Sequence, residues 1–155
     1  MTLAAVSDTG PLIHLAEIDA IDLLSVFDVL SIPETVYEEL ERGGVPDGLA
    51  ELSYELVEAD ETAIPADDLD PGERAALTVA SGRDAILLTD DLAARKAASR
   101  EDVEVRGSIG VIALGHNRGE LDTDEAASRM RALQRETSLF VTNAVVERGI
   151  ELLED

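Results

Sequence analysis

The chain has 155 residues, no cysteine, two histidines and a formal net charge of -22 alongside 45% hydrophobic residues. Disulfides and thiolate metal sites are excluded, two histidines are too few for a histidine-rich site, and so much hydrophobic content rules out disorder as the reason for the acid. No run approaches the ~18 apolar residues of a membrane span and the N-terminus lacks the basic stretch of a secretory signal, so one cytoplasmic domain is expected over residues 1–155.

Leu3 to Val6 forms a short apolar strand ending on Asp8, and Thr9-Gly10-Pro11 turns the chain into a helix. Leu12, Ile13, Leu15 and Ala16, then Ile21, Leu23, Leu24, Val26 and Phe27, predict two short packed helices split near Asp19. His14, among apolar neighbours, reads as a satisfied core or interface histidine. Val29 to Ile32 is a second strand. Pro33 opens a helix whose apolar stripe runs through Val36, Tyr37 and Leu40, with Glu39 flanking the stripe and Glu38 pointing away. Gly43 to Gly48 closes it and starts an irregular excursion through Pro65, with a short helix and an edge strand near Leu56-Val57.

Asp70-Pro71-Gly72-Glu73 has the pattern of a capping box, an N-cap acid followed by Pro and by Glu at the third helical position. Glu73 also shares a face with Ala76, Leu77 and Ala80, the stripe expected to pack on the sheet, so both a capping and a functional role stand open. Ile86 to Leu88 reads as a buried strand that stops on Asp90-Asp91 before a helix from Leu92 to about Ser99. Capping explains one of these two acids but not both. Val103 to Val105 is a last short strand. Ser108 is expected to N-cap a helix ending near His116 to Gly119, and two more helices are expected at about 123–136 and 142–153.

Strands alternating with helices imply a parallel sheet covered on both faces, and right-handed crossovers bring the strand carboxyl ends to one rim, where ligands gather in such folds. Asp8 and Asp90-Asp91 meet there, and Glu39 and Glu73 can reach it from flanking helices. Clustered carboxylates raise one another's pKa and are costly without a hard cation, and oxygen-only ligands suit Mg²⁺ or Mn²⁺. Such ions activate water and stabilise the leaving oxygen of a phosphodiester.

Val6 to Ile13, Val36 to Leu40, Gly72 to Leu77 and Leu88 to Arg95, in that order, resemble the PIN-domain family, and more narrowly an uncharacterised PIN subgroup related to the toxin ribonucleases of toxin–antitoxin systems. The segment Gly107 to Val111 fits the same subgroup. The resemblance implies a three-layer α/β/α fold around a parallel sheet of about four to five strands, with the core at about 3–115 and C-terminal helices at about 123–153. It implies a Mg²⁺- or Mn²⁺-dependent endoribonuclease in which Asp8, Glu39, Glu73 and Asp91 are catalytic, with Asp90 as an additional or alternative ligand. Thr9 matches the small hydroxyl residue after the first acid, and Thr9, Ser108 and Arg95 are candidates for substrate or supporting contacts. An RNA substrate, an antitoxin partner and a homodimer follow from the same resemblance, with no membrane partner. One departure stands out: many family members carry an acid two positions beyond the one matched by Asp91, where this chain has Ala93.

A PIN-like binding module without catalysis is the alternative. A phosphoacceptor receiver domain is disfavoured because the only lysine, Lys96, falls inside a helix. The scarcity of lysine and the abundance of acid are similar to proteins of salt-accumulating halophiles, which predicts a fold and an activity that need salt.

Overall fold

The computed structural model describes residues 2–59 and 68–153. The sheet has five parallel strands, β1 (Ala4–Ser7), β2 (Val29–Pro33), β3 (Glu55–Val57), β4 (Ile86–Leu88) and β5 (Val105–Arg106), in the order β3-β2-β1-β4-β5. Chain order reverses beside β1, so the first and fourth strands lie side by side. Ser7 pairs with Leu88, which brings the residues that follow both strands to one point of the carboxyl rim.

Period-two alternation sorts side chains between the two faces of the sheet. Ala5, Leu30, Ile32 and Leu88 enter one apolar cluster with α1 (Thr9–Glu17), the 3-10 turn Ile21–Val26, α2 (Glu34–Gly43), α5 (Ser108–Asn117), α6 (Thr123–Glu136) and α7 (Asn143–Leu153). Val6, Val57 and Leu87 enter the other with α3 (Pro71–Arg83) and α4 (Leu92–Arg100). The second layer is thin because its helices bury alanines, Ala75, Ala76 and Ala80 from α3 and Ala94, Ala97 and Ala98 from α4. Small side chains let both helices approach the strands closely and hold their N-termini against the rim.

The expected elements are present, with three differences. The last strand is Val105–Arg106 rather than Val103 to Val105, because the turn at Asp102, which has positive φ, consumes the earlier residues. The helical stretch after β1 breaks at Asp19, also at positive φ, and resumes as 3-10 rather than α. Ser108 is the first residue of α5 rather than its cap; Gly107 holds the cap position and no side chain of its own caps the helix. The irregular excursion is described as far as residue 59, with a 3-10 turn at Leu49–Glu51 and β3 at the sheet edge; its stretch through Pro65 lies outside the described residues.

Candidate active site

Asp8 leaves β1 at the rim and is 4% exposed. One carboxylate oxygen accepts the Thr9 N–H at 2.7 Å and the other accepts the Thr89 hydroxyl at 3.0 Å. The Thr89 oxygen in turn accepts the Asp91 N–H at 3.2 Å, so one buried hydroxyl ties the end of β1 to the end of β4. Burial pushes the Asp8 pKa up to about 6: desolvation outweighs the two hydrogen bonds, and the charges of Asp70 and Glu39 push in the same direction.

Glu73 completes the capping box that its spacing predicts. It accepts the Asp70 N–H at 2.9 Å, while its own N–H bonds Asp70 at 2.8 Å. Capping is only part of its environment. Its carboxyl also lies beside Asp91 and in the field of Asp8, and desolvation leads these effects in raising its pKa to about 8. Asp91 N-caps α4 by accepting the Ala94 N–H at 2.9 Å. Glu39 accepts the Gly72 N–H at 3.1 Å, and a Cβ on Gly72 would lie 2.6 Å from that carboxylate, so the glycine is there for close approach. Glu38 is exposed, as its angle on the helix predicts. Asp70, legible in the sequence only as a cap, belongs to the same acidic field.

Asp90 is engaged elsewhere. Its carboxylate accepts the Ser108 N–H at 2.7 Å and the Ser108 hydroxyl at 2.5 Å, and His14 Nδ1 lies 2.8 Å from it. Burial would raise its pKa, but these bonds together with the imidazole win and hold it below the ordinary carboxylate range. The expectation that capping explains only one of the adjacent acids is therefore corrected: Asp91 caps α4 and Asp90 caps α5 from across the rim. Local spacing cannot show a cap supplied 18 residues away.

Thr9 and Glu39 also line a cleft of about 410 Å³ between α1 and α2, floored by Ile13, Leu40 and Pro46. Arg95 lies one turn beyond Asp91, over Gly107. No local pattern signals the Thr89–Asp8 bond or the His14–Asp90 contact, since both join elements remote in the chain.

An oxygen-only set with raised pKa values is what a hard divalent cation would relieve, so the donor chemistry fits Mg²⁺ or Mn²⁺. Among the described residues no three acid or imidazole side chains already stand in a ligand cage; the oxygens are turned to backbone N–H groups and hydroxyls instead. Those partners are neutral donors that rotation of a carboxylate can exchange.

Fold and rim together define a doubly wound α/β domain with an acidic site beside its strand-order reversal. The chain belongs to the PIN-domain family: the family model DUF3368, a PIN domain, matches residues 4–155. Among solved structures it is similar to a PilT N-terminus domain protein from the hyperthermophilic archaeon Sulfolobus solfataricus P2, with a TM-score of 0.62 and 18% identity over 72% of this chain and 92% of that one. At that identity the likeness concerns the fold. No curated protein matches the chain.

Proposed function

We propose that the chain, acting as one domain, is a metal-dependent endoribonuclease of the PIN type, with Asp8, Glu39, Glu73 and Asp91 as its catalytic acids. The observation that carries this reading is the gathering at one rim of Asp8, joined to Asp91 through the Thr89 hydroxyl, and Glu73, held there by its capping box, in a family whose domains are generally nucleases. Asp8, Glu73 and Asp91 would hold Mg²⁺ or Mn²⁺, with Glu39 at the edge of the set. The bound ion would supply Lewis-acid activation of water and stabilise the leaving oxygen. The protein's own part is positional. Thr89 sets Asp8 relative to Asp91, the capping box sets Glu73, and Gly72 holds Glu39 toward the rim. Asp90, with its oxygens on Ser108 and His14, supports the rim, and its use as a ligand would require giving up those bonds. Ala93 leaves the set one acid short of many family members, so a single ion, completed by a substrate phosphate, suits it better than two.

The test is cleavage of single-stranded RNA with Mn²⁺ or Mg²⁺, its loss with chelator, and its loss in Asp8→Asn with the fold intact. RNA binding without metal-dependent cleavage would instead favour the non-catalytic binding module, a reading that draws on the lack of a ready-made cage among the described residues. Control by an antitoxin protein and a homodimeric state belong to the same proposal. Co-expression with the product of a neighbouring small reading frame tests the first, and light scattering the second.

A further inference from the structure

We propose that Arg95, seated on Gly107, grips a backbone phosphate of a single-stranded RNA that reaches the acids along the β4–β5 side of the rim. The inference rests on the nuclease reading above and adds to it a substrate contact and a direction of approach.

Three observations carry it. A Cβ built on Gly107 would stand 2.1 Å from a terminal nitrogen of Arg95 and 2.8 Å from Asp90 Oδ1, so the guanidinium lies directly against this glycine. Gly107 has φ -91° and ψ -173°, open to any L residue, so its lack of a side chain serves the close approach of Arg95 and Asp90 rather than the turn. Second, the guanidinium makes no hydrogen bond or ion pair with any described residue, although acids outnumber bases in the chain by 34 to 12. Asp90, the nearby acid, is already served by Ser108 and His14, so neutralising it is not what Arg95 is needed for. An exposed planar fork lying against a glycine, with no carboxylate of the described residues paired to it, is arranged for phosphate.

Third, charge is divided along the chain. Arg42 is the only lysine or arginine before Arg74, so β1, β2, β3, α1 and α2 carry almost no positive charge, while Arg95 and Lys96 lie near the rim end of α4 and Arg106 closes β5. The cleft between α1 and α2 is lined by Glu17 and Asp47, with no lysine or arginine among its described lining residues, so it would repel a phosphate backbone. The β4–β5 side is the approach a polyanion would tolerate.

The experiment compares wild type with Arg95→Gln, Arg95→Lys and Gly107→Ala, each checked for fold and Tm by circular dichroism, in Mn²⁺-dependent cleavage and in fluorescence anisotropy of a labelled single-stranded RNA across a potassium chloride series. Arg95→Gln should raise KM and Kd roughly ten- to hundred-fold with kcat much less affected. The slope of log affinity against log salt should shrink by about 0.7, one phosphate contact on a single strand. Arg95→Lys should recover part of the affinity. Gly107→Ala keeps the charge but crowds both the guanidinium and Asp90 Oδ1, and should raise KM by more than its loss of Tm accounts for. Unchanged KM, Kd and salt slope in a folded Arg95→Gln would overturn the inference while leaving the nuclease reading intact. If Arg95→Gln does not fold, the other two variants decide on the same readouts. Wild type that binds RNA without cutting it would sink the nuclease reading and leave Arg95 judged on Kd; wild type that does neither sinks both.

Discussion

Asp8 and Asp90 follow neighbouring strands, both lie largely buried, and they move in opposite directions on the pH scale. Asp8 has two neutral donors and acidic neighbours, whereas Asp90 has two donors from Ser108 and an imidazole. Net environment, not burial alone, decides which acid stays ionised. Without metal, the folded chain holds more protons than the unfolded one, because Asp8 rises from 3.8 to about 6 and Glu73 from 4.5 to about 8. Their contribution to stability is therefore full below the unfolded values and is lost as pH rises through about 6 and then about 8. For the buried Asp8 the rise amounts to roughly 3 kcal/mol. Asp8→Asn keeps one oxygen to accept the Thr9 N–H, turns its NH2 to a Thr89 oxygen that would accept instead of donate, and removes the charge, so chelator-treated Asp8→Asn should melt higher than wild type at neutral pH, with a flatter dependence of Tm on pH. Cation binding competes with these protons, and calorimetric Mn²⁺ affinity should climb across the same interval. Thr89→Val should cost about 1–2 kcal/mol in denaturant unfolding and lower Mn²⁺ affinity, while Thr89→Ser should retain most of both.

The acids of the rim are also the caps of its helices. Asp8, Asp70 and Asp91 N-cap α1, α3 and α4, and Asp90 serves α5 from outside. Helix N-termini carry partial positive charge, which makes this cluster tolerable where, among the described residues, no lysine or arginine forms an ion pair with Asp8, Asp70, Asp90 or Asp91. The same arrangement makes the site depend on how closely the helices approach. At Gly72 a methyl would meet both Glu39 oxygens within 2.7 Å, and the carboxylate, being the end of a flexible side chain, would give way first. Gly72→Ala should therefore lower Mn²⁺-dependent cleavage several-fold more than its loss of Tm accounts for, and a drop in Tm with cleavage per folded molecule unchanged would show that Glu39 has no part in the site.

At the scale of the whole molecule the charge of -22 opposes compaction. The Debye length is about 10 Å at 0.1 M and about 3 Å at 1 M, so neighbouring carboxylates feel one another in dilute buffer and hardly at all in strong salt. Circular dichroism and RNA cleavage followed together in potassium chloride should recover in parallel, with the losses confined to salt below ~0.5 M. A chain fully folded in dilute buffer and cutting best there would refute salt dependence of the fold and leave counterion release as the governing effect. Among the described residues no helix is long and apolar enough to cross a membrane.

The parallel sheet was legible from the sequence because a strand covered on both faces must be apolar throughout, as at Leu87-Leu88, and a strand must hand its chain to a helix at a turn, as at Asp8-Thr9-Gly10. The capping box at Asp70 and Glu73 was legible because it is local, a matter of three residues' spacing. Which partner each carboxylate takes was not. Asp90 reaches Ser108 and His14, and Thr89 joins Asp8 to Asp91, through contacts set by strand order and register, and no local pattern encodes a bond between residues 81 apart. Residue types and their order fixed that acids would gather at one rim; only the packing of alanine-faced helices against β1 and β4 decided which of them share a field and which are held apart, because that depends on distances that the chain acquires on folding.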